Sequence, residues 1–167
     1  MTRPLIPYGH AVLRRPASPV DAITPEIQAL IDAMIETMHA APGVGLAAPQ
    51  VGIPLRLFVI DLSVGRDPEA VHVCINPSFV AREGIQFEEE GCLSLPGFTA
   101  SVVRPARAVV QALDRDGRSR VIEGRGLLAR ALQHEMDHLE GLLFVDRIRP
   151  LLRRDILRRF AATRQTA

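Results

Sequence analysis

The chain has 167 residues, of which 47% are hydrophobic and 23% charged, and its formal net charge is +1. Those proportions exclude a disordered or coiled-coil polypeptide, and the near-neutral charge excludes a surface given over to nucleic acid, so no DNA partner is expected. One domain over residues 1–167 can bury roughly two-thirds of its unfolded surface around a single core without a disulfide staple.

The opening Met1-Thr2-Arg3-Pro4 lacks the apolar stretch of a secretory signal, and no apolar run is long enough to span a bilayer. A cytoplasmic location is therefore expected, with no membrane partner and with Cys74 and Cys92 reduced. Thr24-Pro25-Glu26 combines an N-cap, a proline at the first helical position and an acid in the first turn. Ile27, Leu30, Ile31, Met34, Ile35 and Met38 then form an apolar stripe of helical period. Pro42 and Gly43 end this helix, and Gly43 to Gln50 reads as a loop of small residues that passes close to something. Strands are predicted at Leu57–Ile60, Val71–Ile75, Ser78–Phe87, Ala108–Leu113 and Ser119–Ile122, with a hairpin connection at Asp114–Gly117. A second helix runs from about Gly126 to Glu140 and stops at Gly141, the expected C-cap glycine. Arg147, Arg149, Arg153, Arg154, Arg158, Arg159 and Arg164 surround Leu152, Ile156, Leu157 and Phe160, a basic amphipathic helix over about 151–165. The order predicts an α+β fold, with mostly antiparallel sheets packed around a central helix, flanked by an N-terminal and a C-terminal helix.

That central helix carries His134-Glu135-Met136-Asp137-His138. Residues four apart share one helix face, so His134 and His138 can close on one metal ion, and Glu135 stands beside the open position, where it can take a proton from water. Catalytic sites of this kind generally use three protein ligands. Cys92, Cys74, His72, His39, His10 and the acids are candidates for the third, and Cys92 stands out. It follows Glu88, Glu89, Glu90 and Gly91, and the glycine would let the backbone approach closely enough to aim the Leu93 N–H at the reacting oxygen.

Taken together, Gly43-Val44-Gly45-Leu46-Ala47-Ala48-Pro49-Gln50, Glu90-Gly91-Cys92-Leu93-Ser94 and His134-Glu135-Met136-Asp137-His138 resemble the three motifs of bacterial peptide deformylases, in order and at the usual separations. The likeness extends from about Tyr8 past Leu143-Phe144-Val145-Asp146-Arg147. It implies hydrolysis of the formyl group from N-terminal formylmethionine of nascent peptides, with Cys92, His134 and His138 as ligands, Glu135 as base, and Gln50 and the Leu93 N–H as donors to the developing oxyanion. It also implies Fe(II), with Zn or Ni able to occupy the site; the Cys-His-His set alone would have favoured zinc. An extended peptide lying along Gly43-Val44-Gly45 would exchange backbone hydrogen bonds with that segment. Ala131, Arg130 and Leu127 lie on the same helical face before His134, and with Val44 they match methionine-pocket positions of the family. Arg130 is a cation where some members carry an aliphatic residue, and its stem could cover the methionine while its head reaches water. The C-terminal arginines resemble a ribosome-docking helix, against the alternative of solvated charges on a packed helix.

Competing functions are a related metallopeptidase, a structural zinc module and a catalytically weak deformylase-like protein. A peptidase would take its third ligand after the helix, a structural site would add a fourth ligand, and a weak relative would have lost Glu135. Glu90 and Asp137 read equally as surface acids or as acids that orient Arg104 or a ligand.

Overall fold

A computed structural model of the protein describes residues 1–165. Three α-helices and seven strands follow in the order α1 (Pro25–Ala40), β1 (Gly45–Ala47), β2 (Leu57–Ile60), β3 (His72–Glu83), β4 (Gln86–Gly91), β5 (Thr99–Arg104), β6 (Arg107–Leu113), β7 (Ser119–Arg125), α2 (Gly126–Leu139) and α3 (Pro150–Gln165). The strands form a five-stranded sheet, β1-β2-β3-β6-β7, and a two-stranded ribbon, β4-β5. Every pairing is antiparallel. The expected α+β architecture is present, with α2 at its centre.

The Thr24 hydroxyl accepts from the Ile27 N–H at 3.3 Å, which caps α1 as predicted. Leu30, Ile31, Met34 and Met38 of α1 are buried against Leu46, Leu57, Val59 and Ile75. Phe58 and Ile60 face the other way and join Ala131, Leu132, Met136 and Leu139 of α2. Leu57-Phe58-Val59-Ile60 is therefore apolar without a break because both faces of β2 are covered. Each such side chain contributes about 1.5–3 kcal/mol by leaving water, and together they fix α2 beneath the sheet.

Helix α2 ends as predicted. Gly141 has a φ of 78°, and the Leu142 N–H donates to the Asp137 carbonyl at 2.9 Å, so the last carbonyls are satisfied by a glycine turn. A β-carbon at Gly141 would also lie 2.6 Å from the Arg14 carbonyl oxygen. The hairpin glycine, Gly117, likewise adopts a positive φ, of 80°.

Three expectations need correction. The Gly43–Gln50 segment is not all loop: Gly45–Ala47 pairs with β2, Gly45 opposite Ile60, and makes an edge strand. Val71–Ile75 and Ser78–Phe87 are not two separate strands either. The chain runs through as β3, with irregularities in its pairing to β6, until Gly84, with φ 75°, turns it into β4. Strand β5 was not anticipated at all. It pairs with β4 and contributes Ala100 and Val102 to a third apolar cluster with Leu95, Leu143, Phe144 and Val145.

Helix α3 docks on that cluster through Ile156 and Phe160, and the Phe160 ring meets Tyr8 and Phe98 edge-on at 6.4 and 6.2 Å. Leu152 of the predicted stripe faces water, 41% exposed.

Candidate active site

The last two turns of α2 are buried on every side, including Gln133, His134, Glu135, Asp137 and His138. Polar groups are that deeply buried only where something binds or compensates them. The β4–β5 ribbon supplies the compensation. At the end of β4, Glu90 accepts the His134 Nδ1–H at 3.0 Å, which fixes the ring and leaves Nε2 to face the Cys92 loop. Arg104 of β5 donates to both oxygens of Glu90, at 2.5 and 2.9 Å, and to Asp137 at 3.0 Å. Asp137 also accepts two bonds from Arg147, at 3.2 and 2.8 Å. Glu90 and Asp137 are thus buried members of one network rather than surface acids. Burial alone would raise the Glu90 carboxyl, but the bonds from His134 and Arg104 hold it down at about 2.

Arg104 is 4% exposed. Removing it would strip buried Glu90 of two donors and Asp137 of one, leaving Glu90 only His134 and Asp137 only Arg147, so Arg104→Met is expected to cost about 3–5 kcal/mol. Urea unfolding followed by circular dichroism reads this as a lower midpoint at unchanged slope. A loss below about 1 kcal/mol would mean that the network is spectator chemistry.

Beyond β4, the turn Cys92–Leu95 closes on itself through the Leu95 N–H and the Cys92 carbonyl at 2.9 Å. It brings the Cys92 Sγ to 3.4 Å from His138 Nε2. One donor atom each from Cys92, His134 and His138 lies within 4.8 Å of the others. Burial together with His134 keeps His138 well below the usual histidine range, the neutral form a metal needs. On His134 burial has the same sense but is outweighed by Glu135, Cys92 and Glu90, surroundings that favour positive charge at that spot. A cysteine sulfur and two imidazoles, with buried carboxylates around them and no fourth donor in the group among the described residues, fit a catalytic transition metal.

Gln50 closes the other side. Its Oε1 accepts from the Ala47 N–H at 3.0 Å, and its Nε2 lies 3.4 Å from the Cys92 Sγ and 3.3 Å from the Ser94 Oγ. Glu135 is 3% exposed. Its Oε1 is buried with no hydrogen-bond partner. Burial pushes this carboxyl up to about 7, against the pull of His134. The carboxylate rests directly on β1: a β-carbon at Gly45 would lie 2.5 Å from Glu135 Oε2. Gly45 therefore makes room for the acid as well as offering backbone to a peptide.

These groups open onto a cavity of about 560 Å³, lined among others by Val44, Gly45, Gln50, Cys92, Leu93, Leu127, Arg130, Ala131, His134 and Glu135. His138 lies deeper, fully buried behind Cys92. Arg130 does not reach freely into water: it is half-buried and donates to Gln86 Oε1 at 3.0 Å. The sequence reading missed the roles of Gln86 and Ser94, while of its two readings of Glu90 the acid that orients Arg104 and a ligand, His134, is the one present. His10, His39, His72 and Cys74 stay apart from the cavity; His39 bonds Asp61 at 2.6 Å, and burial pushes the Cys74 thiol up to about 12.

The family model for polypeptide deformylase matches residues 2–154. A peptide deformylase of Acidobacterium capsulatum is 50% identical over 159 residues, covering 95% of this chain and 94% of the other. One from Desulfitobacterium hafniense is 52% identical over 150 residues, covering 90% and 97%. Among solved structures, a peptide deformylase from Legionella pneumophila superposes with a TM-score of 0.94 at 43% identity, over 99% of this chain and 97% of that one. A Synechococcus elongatus peptide deformylase in complex with actinonin superposes with a TM-score of 0.87 at 45% identity, over 90% and 83%.

Proposed function

The chain belongs to the peptide deformylase family, and from that premise we propose how its own residues divide the work of a deformylase. It is a metal-dependent hydrolase that removes the N-formyl group from the N-terminal formylmethionine of new polypeptides and releases formate. One observation carries the residue assignment: three donor atoms converge within 4.8 Å at the wall of a cavity where a buried carboxylate, Glu135, has no partner for one oxygen.

Cys92, His134 and His138 would hold the metal, and we take it to be Fe(II), with Zn or Ni able to replace it. When bound, it supplies a Lewis acid for the formyl carbonyl and acidifies a water molecule. A peptide would lie along Val44-Gly45, since β1 is the edge of its sheet. Such pairing reads backbone and so tolerates many sequences. The methionine side chain enters between Val44, Leu127, Ala131 and the stem of Arg130. Glu135 takes a proton from the attacking water as its oxygen bonds to the formyl carbon. The Leu93 N–H and the Gln50 amide stabilise the oxygen that becomes negative. Glu135 then gives the proton to the departing amine as the C–N bond breaks, a double duty suited to a carboxyl pushed up to about 7.

No helix among the described residues is long and apolar enough to cross a membrane. We place the enzyme in the cytoplasm, where nascent chains emerge, and assign α3 to ribosome contact. Arg153, Arg154 and Arg158 border a hollow of about 590 Å³ at the base of α3, and Ile156 and Phe160 anchor the helix to the core. Because those two anchors are core residues, the informative variant changes charge only. Arg149→Gln, Arg154→Gln and Arg158→Gln together are expected to leave hydrolysis of short formyl peptides unchanged. Ribosome co-sedimentation should weaken by about tenfold or more at low salt, with a shallower salt dependence. Unchanged pelleting at every salt concentration would reduce the arginines to a solvated surface.

The direct test of activity is formate release from formyl-Met-Ala-Ser by protein prepared without oxygen, since a thiolate beside Fe(II) is prone to oxidation. Formate and free Met-Ala-Ser should appear in equal amounts. Metal-loaded protein that produces neither would overturn the reading.

A further inference from the structure

We infer that Arg130 makes this enzyme favour formylated peptides with an acidic side chain in the first residues after methionine, and that Gln86 is the positioning residue that aims it. The inference rests on the deformylase reading above and adds a preference to it.

Arg56, Arg104, Arg107, Arg115 and Arg153, the other buried or half-buried arginines, each have a carboxylate partner. Among the described residues Arg130 alone is half-buried without one. Its guanidinium is held instead by the neutral Oε1 of Gln86. Gln86 is itself pinned, because its Nε2 donates to the carbonyls of Pro105 at 3.1 Å and Gly126 at 3.2 Å. The clamp ties the first strand of the ribbon to the start of α2 and keeps the cation at the wall of the substrate cavity. A positive charge partly removed from water and left without an anion is a standing cost, which a ligand carboxylate would relieve.

Position makes the ligand the natural source of that carboxylate. Arg130 lies four residues before His134, about one helical turn or 5–6 Å along α2. A peptide with its formyl end at His134 would pass near it within its first residues. The acids of the same cavity do not cancel the charge. Glu90 is engaged by Arg104 and His134, and Glu135 rests on Gly45. Glu89 borders the cavity but is exposed, so water and salt screen it more than they screen Arg130.

The test compares kcat/KM for formyl-Met-Ala-Ser, formyl-Met-Asp-Ser, formyl-Met-Ala-Asp and their lysine counterparts at low and high salt. At low salt at least one acidic peptide should exceed the neutral one by about fivefold, with the lysine counterpart below it, mostly through KM. Salt should erode the difference. Two variants separate charge from shape. Arg130→Met keeps an unbranched apolar stem, and Gln86→Glu gives Arg130 an internal carboxylate; both should bring the acidic-to-neutral ratio close to one. Affinity for the deformylated peptides Met-Asp-Ser and Met-Ala-Asp against Met-Ala-Ser, measured by calorimetry, should follow the same order. Equal kcat/KM for acidic and neutral peptides in the wild type, or a preference that survives in Arg130→Met, would overturn the inference. In either case formate release from formyl-Met-Ala-Ser leaves the deformylase reading standing, whereas absence of formate from every peptide would sink that reading instead.

Discussion

Glu135→Ala should keep its metal and lose nearly all formate release, by about 1000-fold or more, because general acid–base groups contribute about 100- to 10,000-fold and this one serves in two steps. Glu135 is not among the three residues whose donor atoms converge, so metal content by atomic absorption should match the wild type. Stability gives an internal control. Glu135 has a buried oxygen with no partner, so removing it relieves desolvation and the variant should unfold no earlier than the wild type. Glu135→Gln preserves shape without the proton-accepting charge and should be as inactive. Wild-type rates in either variant would remove Glu135 as the base.

The second large effect is on the metal itself. Cys92→Ala or His138→Ala leaves two protein donors where a tight catalytic site generally needs three. Losing a mere outer partner of a ligand costs about 10- to 100-fold in affinity, so losing the ligand should exceed about 100-fold and yield protein that is essentially metal-free after dialysis. Cys92→Ser should fall between, since a hydroxyl is a far poorer donor than a thiolate. The two positions differ in what else they disturb. His138 is fully buried with an unpartnered Nδ1, while Cys92 is half-buried in a loop. Cys92→Ala should therefore leave the apo-protein folded, which separates metal loss from unfolding. Stoichiometric, tightly held metal in Cys92→Ala would contradict the ligand set.

The parts of this molecule that were legible in its sequence are those whose signal is local. Helix α1 announces itself through Thr24, Pro25 and a stripe of period 3.6, and α2 through Gly141 and the spacing of its two histidines. Strand β1 could not be read that way. Gly45-Leu46-Ala47 has little strand preference, and it is extended because β2 pairs with it. Strand β5 escaped because Val103 is 59% exposed beside buried Val102, which blurs the alternation. A signal was nonetheless there: Ala100, Val102 and Arg104 share one strand face, so Arg104 had to point inward and find carboxylates. Its partners lie 14 and 33 residues away in the chain, a separation no local pattern encodes. Gln86 carries no sequence signal at all; its role exists only once β4 is laid beside the start of α2.

The most direct measurement on the site is X-ray absorption at the metal edge of anaerobically purified protein. One sulfur and two imidazole nitrogens as the protein donors, with the remaining position filled by a light solvent oxygen, is the expected shell. The sulfur should vanish in any metal-reloaded Cys92→Ser. A wild-type shell without sulfur, or one closed by a fourth protein donor, would contradict a Cys92-His134-His138 site open to water and to the formyl group.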